Sequence, residues 1–183
     1  MFLETSKHFE QGKSYSVIIE YEGKISTGNT GVYCAIDPDT LKKHSKALEQ
    51  VKFNDLNDLH LIEEDPVLKA DIIDNSIFCT TMAPVDARTF MPCLDEPSFK
   101  AKFQLTLNLS EAQVNHTAIS NTPIASKDNK RISFEQTPLM STYLLVCVIG
   151  KYEFVEVPMQ RADGVKVRGY CPIGYAESIR HFV

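Results

Sequence analysis

A proline-stiffened loop that ends in an alternating strand is the feature of this sequence that most constrains its fold. Pro92 and Pro97 fix their own φ angles near −65° and push the residues before them toward extended geometry. Apolar and polar side chains then alternate over residues 102–109, which is the period that places every apolar group on one face of a strand. The sequence therefore predicts a stiff loop anchored by a half-buried sheet.

Short segments rich in β-branched and aromatic residues recur along the rest of the chain, with turn residues between them. Strands are predicted at residues 15–21, 31–36, 77–82, 103–109, 114–121, 131–135, 143–149, 152–157 and 165–171. Residues 122–130 are expected to form a polar hairpin loop. Many short strands with little helix predict an all-β fold, an antiparallel β-sandwich.

Residues 37–75 interrupt this pattern, and we expect an insertion or irregular segment there. Thr40 or Asp39 is a candidate cap for a helix over residues 41–51. The following residues, 53–74, predict a loop with a helical turn, or a strand near residues 59–62.

The acidic run at residues 63–66 within this insertion is interpreted as a solvated surface in preference to a metal or partner site. The strand pattern predicts a single domain over residues 1–175. Residues 176–183 are expected to begin a helix or a linker to a catalytic domain.

Composition and charge exclude several classes of protein. The net charge of −5 argues against a nucleic-acid partner, which would normally meet a basic surface. The amino terminus has no apolar stretch typical of a secretory signal, and no apolar run reaches membrane-spanning length, so we expect no membrane association and a cytoplasmic protein. The five cysteines are scattered without a C-x-x-C pair, which favours reduced thiols over a disulfide or zinc framework.

Two long motifs carry a family resemblance. The first is Pro84-Val-Asp-Ala-Arg88, followed by Phe90-Met-Pro-Cys-Leu-Asp-Glu-Pro97 and then by Lys100-Ala-Lys-Phe103. The second runs from Phe134 through Thr-Pro-Leu-Met-Ser-Thr-Tyr to Gly150-Lys-Tyr152. Together they resemble the N-terminal domain of zinc aminopeptidases related to puromycin-sensitive aminopeptidase and aminopeptidase N, in the gluzincin family. The resemblance is good from about Ser76 onward, weaker over residues 12–36 and absent from residues 37–75.

The resemblance implies a saddle-like β-sandwich that covers one side of a zinc peptidase active site. In that family zinc is held by an H-E-x-x-H helix of the catalytic domain, and a G-x-M-E-N loop binds the free amino group of the peptide. Neither motif occurs in this sequence, so we expect no catalytic residue, no metal ligand and no cofactor in this chain. The nearest look-alike to a zinc motif, His60-Leu-Ile-Glu-Glu64, lacks a second histidine and is interpreted as coincidence.

One substrate-binding position is implied by the resemblance. The family's Gln or Glu that reaches the amino terminus of the peptide aligns with Thr81, which offers only a short hydroxyl group, so we expect this contact to be weakened or lost. The remaining motif residues are interpreted as scaffold, with a buried arginine satisfied by carboxylates, a helix cap from Asp95 over residues 96–100, and Cys93 as a packed thiol. These structural residues are Asp86, Arg88, Pro92, Cys93, Asp95, Glu96 and Pro97.

The sequence thus predicts an aminopeptidase-like N-terminal domain that is inactive alone and meets peptide amino termini only when joined to a catalytic domain. The alternative is a free-standing, non-catalytic interaction module, for which residues 37–75 would be the favoured surface for protein partners. A decayed gene product is a third interpretation that these residues leave open.

Overall fold

The computed structural model of the chain describes residues 8–26, 29–50, 62, 65–157 and 164–180. Its strands are β1 (Gly31–Ile36), β2 (Ser76–Thr81), β3 (Lys100–Ala101), β4 (Thr106–Asn108), β5 (Thr117–Ser120), β6 (Ile124–Lys127), β7 (Arg131–Phe134), β8 (Met140–Ser141), β9 (Cys147–Gly150), β10 (Tyr152–Glu156) and β11 (Arg168–Pro172). Its α-helices are α1 (Pro38–Lys43), α2 (Ser45–Gln50), α3 (Pro66–Asp74), α4 (Ala87–Phe90) and α5 (Ala176–Ile179).

The strands form antiparallel sheets, and the predicted all-β, sandwich-like fold is confirmed. A four-stranded sheet has the order β1-β2-β9-β5, and a three-stranded sheet has the order β4-β7-β6. Two shorter pairs, β3-β8 and β10-β11, complete the sheet structure of the described residues. Every pairing between these strands is antiparallel.

The interior of the sandwich lies between the two larger sheets. Ile132 and Phe134 on β7 are almost completely buried and pack with Leu109 and Ala118. Leu105 and Leu107 are partly buried against the same cluster, as their alternation predicts. The strand itself is shorter than the predicted residues 103–109, because pairing with β7 covers only Thr106–Asn108.

Helices cover the other part of the four-stranded sheet. Leu48 of α2 and Leu68 and Ile72 of α3 pack with Ile62, and side chains of β1 and β2 lie against them. The predicted insertion is therefore more helical than expected and shares a core with the sheet. The possible strand at residues 59–62 lies mostly outside the described residues.

The caps of these helices differ from the prediction. Asp37, not Thr40 or Asp39, caps α1, and its carboxylate accepts a hydrogen bond from the Thr40 backbone N–H at 2.9 Å. Because Pro38 is suited to the first helical position, the helix begins three residues earlier than predicted. It ends at Lys43, and α2 follows as a separate helix, so the single helix predicted over residues 41–51 was also wrong.

A second helix cap lies in the acidic run. Asp65 accepts a hydrogen bond from the Leu68 backbone N–H at 2.9 Å, and Pro66 starts α3. This member of the run is exposed, as predicted, and also caps a helix.

Ion pairs join the helical segment to itself and to the sheet. Asp71 of α3 lies 2.9 Å from Lys43 Nζ and 2.6 Å from His44 Nε2. One turn later, Asp74 pairs with Lys151, and its backbone carbonyl lies 2.9 Å from the buried imidazole of His116. The last turn of α3 is thus connected to α1 on one side and to the strands on the other.

The predicted strand at residues 15–21 was wrong. No residue of this segment is in a strand, and all seven are exposed. The segment approaches β1 only beyond its end, where the Ser26 backbone N–H donates to the Val32 carbonyl at 2.6 Å. A strand needs a hydrogen-bonded neighbour, and the described residues supply none here.

Three other predictions need smaller corrections. Residues 122–130, predicted as a loop, contain β6, whose pairing with β7 is interrupted by a bulge between Ile124 and Ser126. The strand predicted at residues 143–149 starts only at Cys147, because residues 142–144 form a 3₁₀ turn. The helix expected from residue 176 onward is present as the single turn of α5.

No helix among the described residues is long and apolar enough to cross a lipid bilayer.

Candidate functional site

The loop between β2 and β3, residues 82–99, has its own small core. Met82 and Ala87 are buried with Leu145, and Phe90, Met91 and Phe103 are among the partly buried residues packed against them. The loop includes the short helix α4, whose first residue is the buried Ala87. The peptide bond between Ala83 and Pro84 is cis. This packing holds the backbone of the loop against the sandwich.

A buried carboxylate organises the loop from within. Asp95 Oδ2 accepts hydrogen bonds from the Arg88 backbone N–H at 3.0 Å and from Arg88 Nε at 3.1 Å. Arg88 Nη2 also donates to the Asp95 carbonyl at 3.2 Å. The two ends of the loop are therefore tied together by one residue pair.

This geometry corrects two predictions. Asp95 does not cap a helix over residues 96–100, because the chain makes only a turn there, with the Phe99 N–H donating to the Glu96 carbonyl. The arginine is not the buried partner either: the Asp95 side chain is 3% exposed, whereas the Arg88 side chain is 58% exposed. The Asp95 carboxylate is therefore the buried charge of the pair. Hydrogen bonds from the backbone N–H and the guanidinium group of Arg88 offset the free-energy cost of its desolvation.

Side chains of the second motif hold the first motif in place through hydrogen bonds. Ser141 Oγ donates to the Pro97 carbonyl at 2.7 Å, and Thr142 Oγ1 donates to the Leu94 carbonyl at 3.2 Å. Thr137 Oγ1 accepts from the Phe103 backbone N–H at 2.9 Å. All three hydroxyl-bearing residues are buried.

The sequence analysis missed this role, because it gave the hydroxyl groups of the second motif no function. Side-chain hydroxyls can satisfy backbone groups of a loop that has no ladder partner, but these hydroxyls lie more than thirty positions from the groups that they bond, so no local pattern indicated the role.

An open groove of about 520 Å³ lies on the outer side of the loop. Residues 21–23 form one wall, and the loop residues from Arg88 to Glu96 form the other with Phe99. Four of its lining residues carry charge when ionised: Glu22, Arg88, Asp95 and Glu96. The groove is thus a mixed polar and aromatic surface.

Several structural residues predicted from the motif lie in this region. Pro92, Cys93, Asp95 and Glu96 line the groove with Arg88, and Pro97 follows directly in an exposed turn. Burial raises the pKa of the Cys93 thiol, and the nearby Asp95 carboxylate adds to that effect. A thiol held in its neutral form is a poor nucleophile, which agrees with a packing role.

Asp86 contributes through its backbone. Its carbonyl accepts a hydrogen bond from Thr89 Oγ1 at 2.6 Å, which closes the first turn of α4. Gly31 of β1 lies against the same threonine, and a Cβ at Gly31 would clash with Thr89 Oγ1. The positive φ of Gly31, 67°, is also a conformation that favours glycine. Glycine is therefore required where β1 passes under the loop.

Thr81, the predicted substrate-binding position, is the last residue of β2 and is exposed. It pairs with Gly31 across the sheet, and the buried Met82 follows it into the loop. Thr81 is not among the lining residues of the groove. The structure thus brings the motif residues together around Asp95 and places Thr81 apart, at the sheet edge of the loop.

No group of three histidine, cysteine, aspartate or glutamate side chains suited to a metal ion occurs among residues 8–26, 29–50, 62, 65–157 and 164–180. His60 of the zinc-motif look-alike lies outside the described residues. The described donor set therefore does not fit a zinc ion.

The loop at residues 82–99 lies within a region that matches a known protein family. Residues 72–144 match the sequence model of the Peptidase M1 N-terminal domain. The match includes β2, the loop with its Asp95 pair, the sandwich strands β4–β7 and the second motif as far as Leu144.

Relatives from distant organisms match about half of the chain. Aminopeptidase M1 of Arabidopsis thaliana is 41% identical over 102 residues, which are 54% of this chain and 11% of that protein. Aminopeptidase N of Acetobacter pasteurianus is 41% identical over 103 residues, 54% of this chain and 27% of that protein. Tricorn protease-interacting factor F2 of Thermoplasma volcanium is 37% identical over 84 residues, 44% of this chain and 10% of that protein.

The matched region is thus an antiparallel β-domain with a proline-rich loop fixed by a buried carboxylate. Through this region the chain matches the N-terminal domain of M1 aminopeptidases. It spans about a tenth of the length of the Arabidopsis relative.

Proposed function

We propose that this chain forms one wall of the active-site cavity of an M1-type aminopeptidase. In this proposal the chain contributes no catalytic residue and no zinc ligand. In this proposal the catalytic part of such a peptidase holds the zinc and activates water, and the domain described here covers one side of the cavity. The substrate class would be peptides with a free amino terminus. The compartment would be the cytoplasm.

The observation that carries the proposal is the direct connection between Thr81 and the rigid motif loop. Thr81 is exposed at the end of β2, and the next residue, Met82, is anchored in the loop's core. A side chain at this position is therefore held by the sheet on one side and by the Asp95-fixed loop on the other. Such a position suits a contact that must meet a substrate at fixed geometry.

The proposal also includes inactivity of the 183-residue chain by itself. The sequence contains no H-E-x-x-H and no G-x-M-E-N motif. A zinc peptidase needs two imidazoles one helical turn apart, with a carboxylate that activates water. Without them, the chain is expected to bind peptides weakly and to hydrolyse none.

The short, uncharged side chain of Thr81 leads us to expect weak binding of the substrate's amino terminus. A threonine hydroxyl is shorter than the side chain of Gln or Glu, and it carries no charge to pair with an ammonium group. A hydrogen bond to a charged group contributes roughly 1.5–3 kcal/mol, so its loss would raise KM by about tenfold or more.

A chimaera tests the proposal. Residues 72–144 would replace the matching segment of Arabidopsis Aminopeptidase M1, and KM and kcat would be measured with an aminoacyl chromogenic substrate. We expect an active chimaera with raised KM, and Thr81→Gln in the chimaera should restore most of the affinity. Val85→Gln, at an exposed position of the adjoining loop, is the matched control and should not.

Two results would contradict the proposal. Equal KM values for the chimaera with Thr81 and with Gln at that position would show that the position makes no substrate contact. A folded but inactive chimaera would show that the domain cannot serve as the wall, and would favour a free-standing interaction module.

A further inference from the structure

The groove on the outer side of the loop at residues 82–99 is not used by the proposed function. It has a volume of about 520 Å³, and Thr81 is not among its lining residues. Sites for small molecules in proteins have volumes of about 300–1,000 Å³ and combine apolar walls with a few polar groups. The groove has that size and that combination of groups.

Contacts with the rest of the fold hold both walls of the groove in place. The hydrogen bonds between Arg88 and Asp95 fix the loop wall. On the other wall, a Cβ atom at Gly23 would lie 3.8 Å from the Thr89 carbonyl oxygen, so the two walls meet at van der Waals distance there. The groove is therefore formed before a ligand arrives, which lowers the entropic cost of binding.

Arg88 offers hydrogen-bond donors to the groove. Its side chain is 58% exposed, and its contacts with Asp95 engage Nε and Nη2. A guanidinium group has more N–H donors than this pair uses, and Nη1 forms no hydrogen bond with the described residues. A carboxylate is an anion that matches the planar fork of these donors. Because Asp95 already offsets the charge of Arg88, the contact with a ligand consists mainly of directed hydrogen bonds.

Two further carboxylates give the groove a net negative charge. Glu22 lies on one wall and Glu96 on the other, and both are exposed. Neither forms an ion pair within the part of the chain that the structure describes. With Asp95, three carboxylates therefore line the groove beside a single guanidinium group. This balance favours a ligand that also carries a cationic group.

Aromatic side chains give both walls an apolar surface. Tyr21 on one wall and Phe99 on the other are each about half exposed. Aromatic rings favour contact with another apolar or aromatic side chain. A ligand that bears such a side chain removes apolar surface of the groove from water, which stabilises the complex.

We propose that the groove binds a small zwitterion with an apolar side chain, which is the chemistry of a free apolar amino acid or a dipeptide. The carboxylate of the ligand accepts hydrogen bonds from Arg88. Its ammonium group pairs with Glu22 or Glu96, and its side chain packs against the aromatic rings of the groove. Thr81 is not part of this site, and the proposal concerns binding by the chain itself, so it does not depend on the proposed peptidase function.

Titration of the isotope-labelled full chain, followed by NMR, tests the proposal. L-Phenylalanine and the dipeptide phenylalanyl-leucine represent the two sources of this chemistry. At least one of them is expected to shift the backbone amide signals of Gly23, Thr89 and Glu96 in a saturable way. The dissociation constant should be on the order of 1 mM, because the groove is open. The compound with the lower dissociation constant identifies the source.

Two analogues of phenylalanine test the charged contacts. Phenylalanine amide lacks the carboxylate, and N-acetylphenylalanine lacks the ammonium group. At about 0.15 M salt, which screens long-range attraction, each should bind at least about threefold more weakly than phenylalanine. The amide takes the place of a substitution at Arg88, which would also break the pair with Asp95 and disturb the loop.

Variants of exposed residues locate the site. The double substitution of Glu22→Gln and Glu96→Gln removes both partners of the ammonium group and should weaken binding at least about threefold. Phe99→Ala removes one aromatic ring and should weaken binding as well. Glu135→Gln, at an exposed residue that does not line the groove, is the matched control and should bind like the unmodified chain.

Three results would overturn the proposal. One is the absence of saturable shifts at the amide groups of the groove with both compounds. Another is equal affinity for phenylalanine and either of its analogues, which would show that the groove does not recognise a zwitterion. The last is unchanged binding by the double glutamate variant, which would place the ligand elsewhere on the chain.

Discussion

The loop at residues 82–99 and the segment at residues 15–21 differ in what determines their conformation. Residues 82–99 have almost no regular secondary structure, yet Asp95 and the hydroxyls of Ser141 and Thr142 hold them in place. Residues 15–21 have the stronger strand composition, yet they form no strand and every side chain is exposed. Specific tertiary contacts, and not local strand propensity, therefore determine which of the two segments is held in place by the rest of the fold.

The difference has a simple physical cause. Buried carbonyls and carboxylates must find donors, and the loop finds them in residues far along the chain. Residues 16–21 make no backbone hydrogen bond with other described residues, so the described fold constrains their conformation far less. Mutations in the two regions should therefore have very different effects on stability.

The largest contrast is expected between Phe134→Ala and Ile18→Ala. Phe134 is 1% exposed in the sandwich interior, and removing its ring should lower the free energy of unfolding by about 3–5 kcal/mol. Ile18→Ala should change it by less than about 0.5 kcal/mol, since no core contact is lost. Urea unfolding followed by circular dichroism at low protein concentration measures both, and similar losses in the two variants would refute the contrast.

A smaller effect is expected from Asp95→Ala. The change leaves the Arg88 backbone N–H without its acceptor and removes the guanidinium contact, which should cost about 2–3 kcal/mol. Glu96→Ala, at an exposed residue of the same loop, is the matched control and should cost less than about 0.5 kcal/mol. If the two variants unfold at the same urea concentration, Asp95 does not organise the loop.

The smallest effect concerns pH and the helical segment. The Lys43 ammonium, and then His44, lower the pKa of Asp71 below its ordinary value of 3.8. Because the folded state holds this carboxylate ionised, its contribution to stability is complete above pH 3.8 and is lost as pH falls through the lowered pKa.

Asp71→Asn should therefore be less stable than the unmodified chain at pH 6, and the difference should shrink on acidification below pH about 4. Asp39→Asn, which removes an exposed partner of Lys42, is the control and should show a smaller difference at pH 6. Thermal unfolding across this pH range measures the effect. A difference that stays constant, or grows on acidification, would remove Asp71 from the account.

The sequence predicted the motif half of the molecule better than the remainder. Alternation placed Leu105, Leu107 and Leu109 on the sandwich interior correctly, and β1, β2 and β7 lie close to their predicted positions. These strands have neighbours, so the periodic pattern and the tertiary structure agree. At residues 15–21 the described residues supply no neighbouring strand, and there the same pattern predicted a strand that does not form.

The errors in the loop and insertion have other causes. Asp95 follows a spelling typical of a helix cap, but its carboxylate meets Arg88 seven residues earlier, which no local rule predicts. Asp37 and Asp65 cap their helices through their carboxylates, and the proline that follows each of them is typical of the first position of a helix. The hydroxyls of Ser141 and Thr142 act on residues more than forty positions away, so only the folded chain brings those atoms together.

The central claim, that this chain supplies the wall of a zinc peptidase site and none of its chemistry, has one most direct test. The purified 183-residue protein would be dialysed against zinc, assayed for bound metal and offered an aminoacyl chromogenic substrate. The account predicts that zinc content matches the dialysis buffer and that no turnover occurs above background. Stoichiometric zinc together with turnover that a chelator abolishes would contradict it.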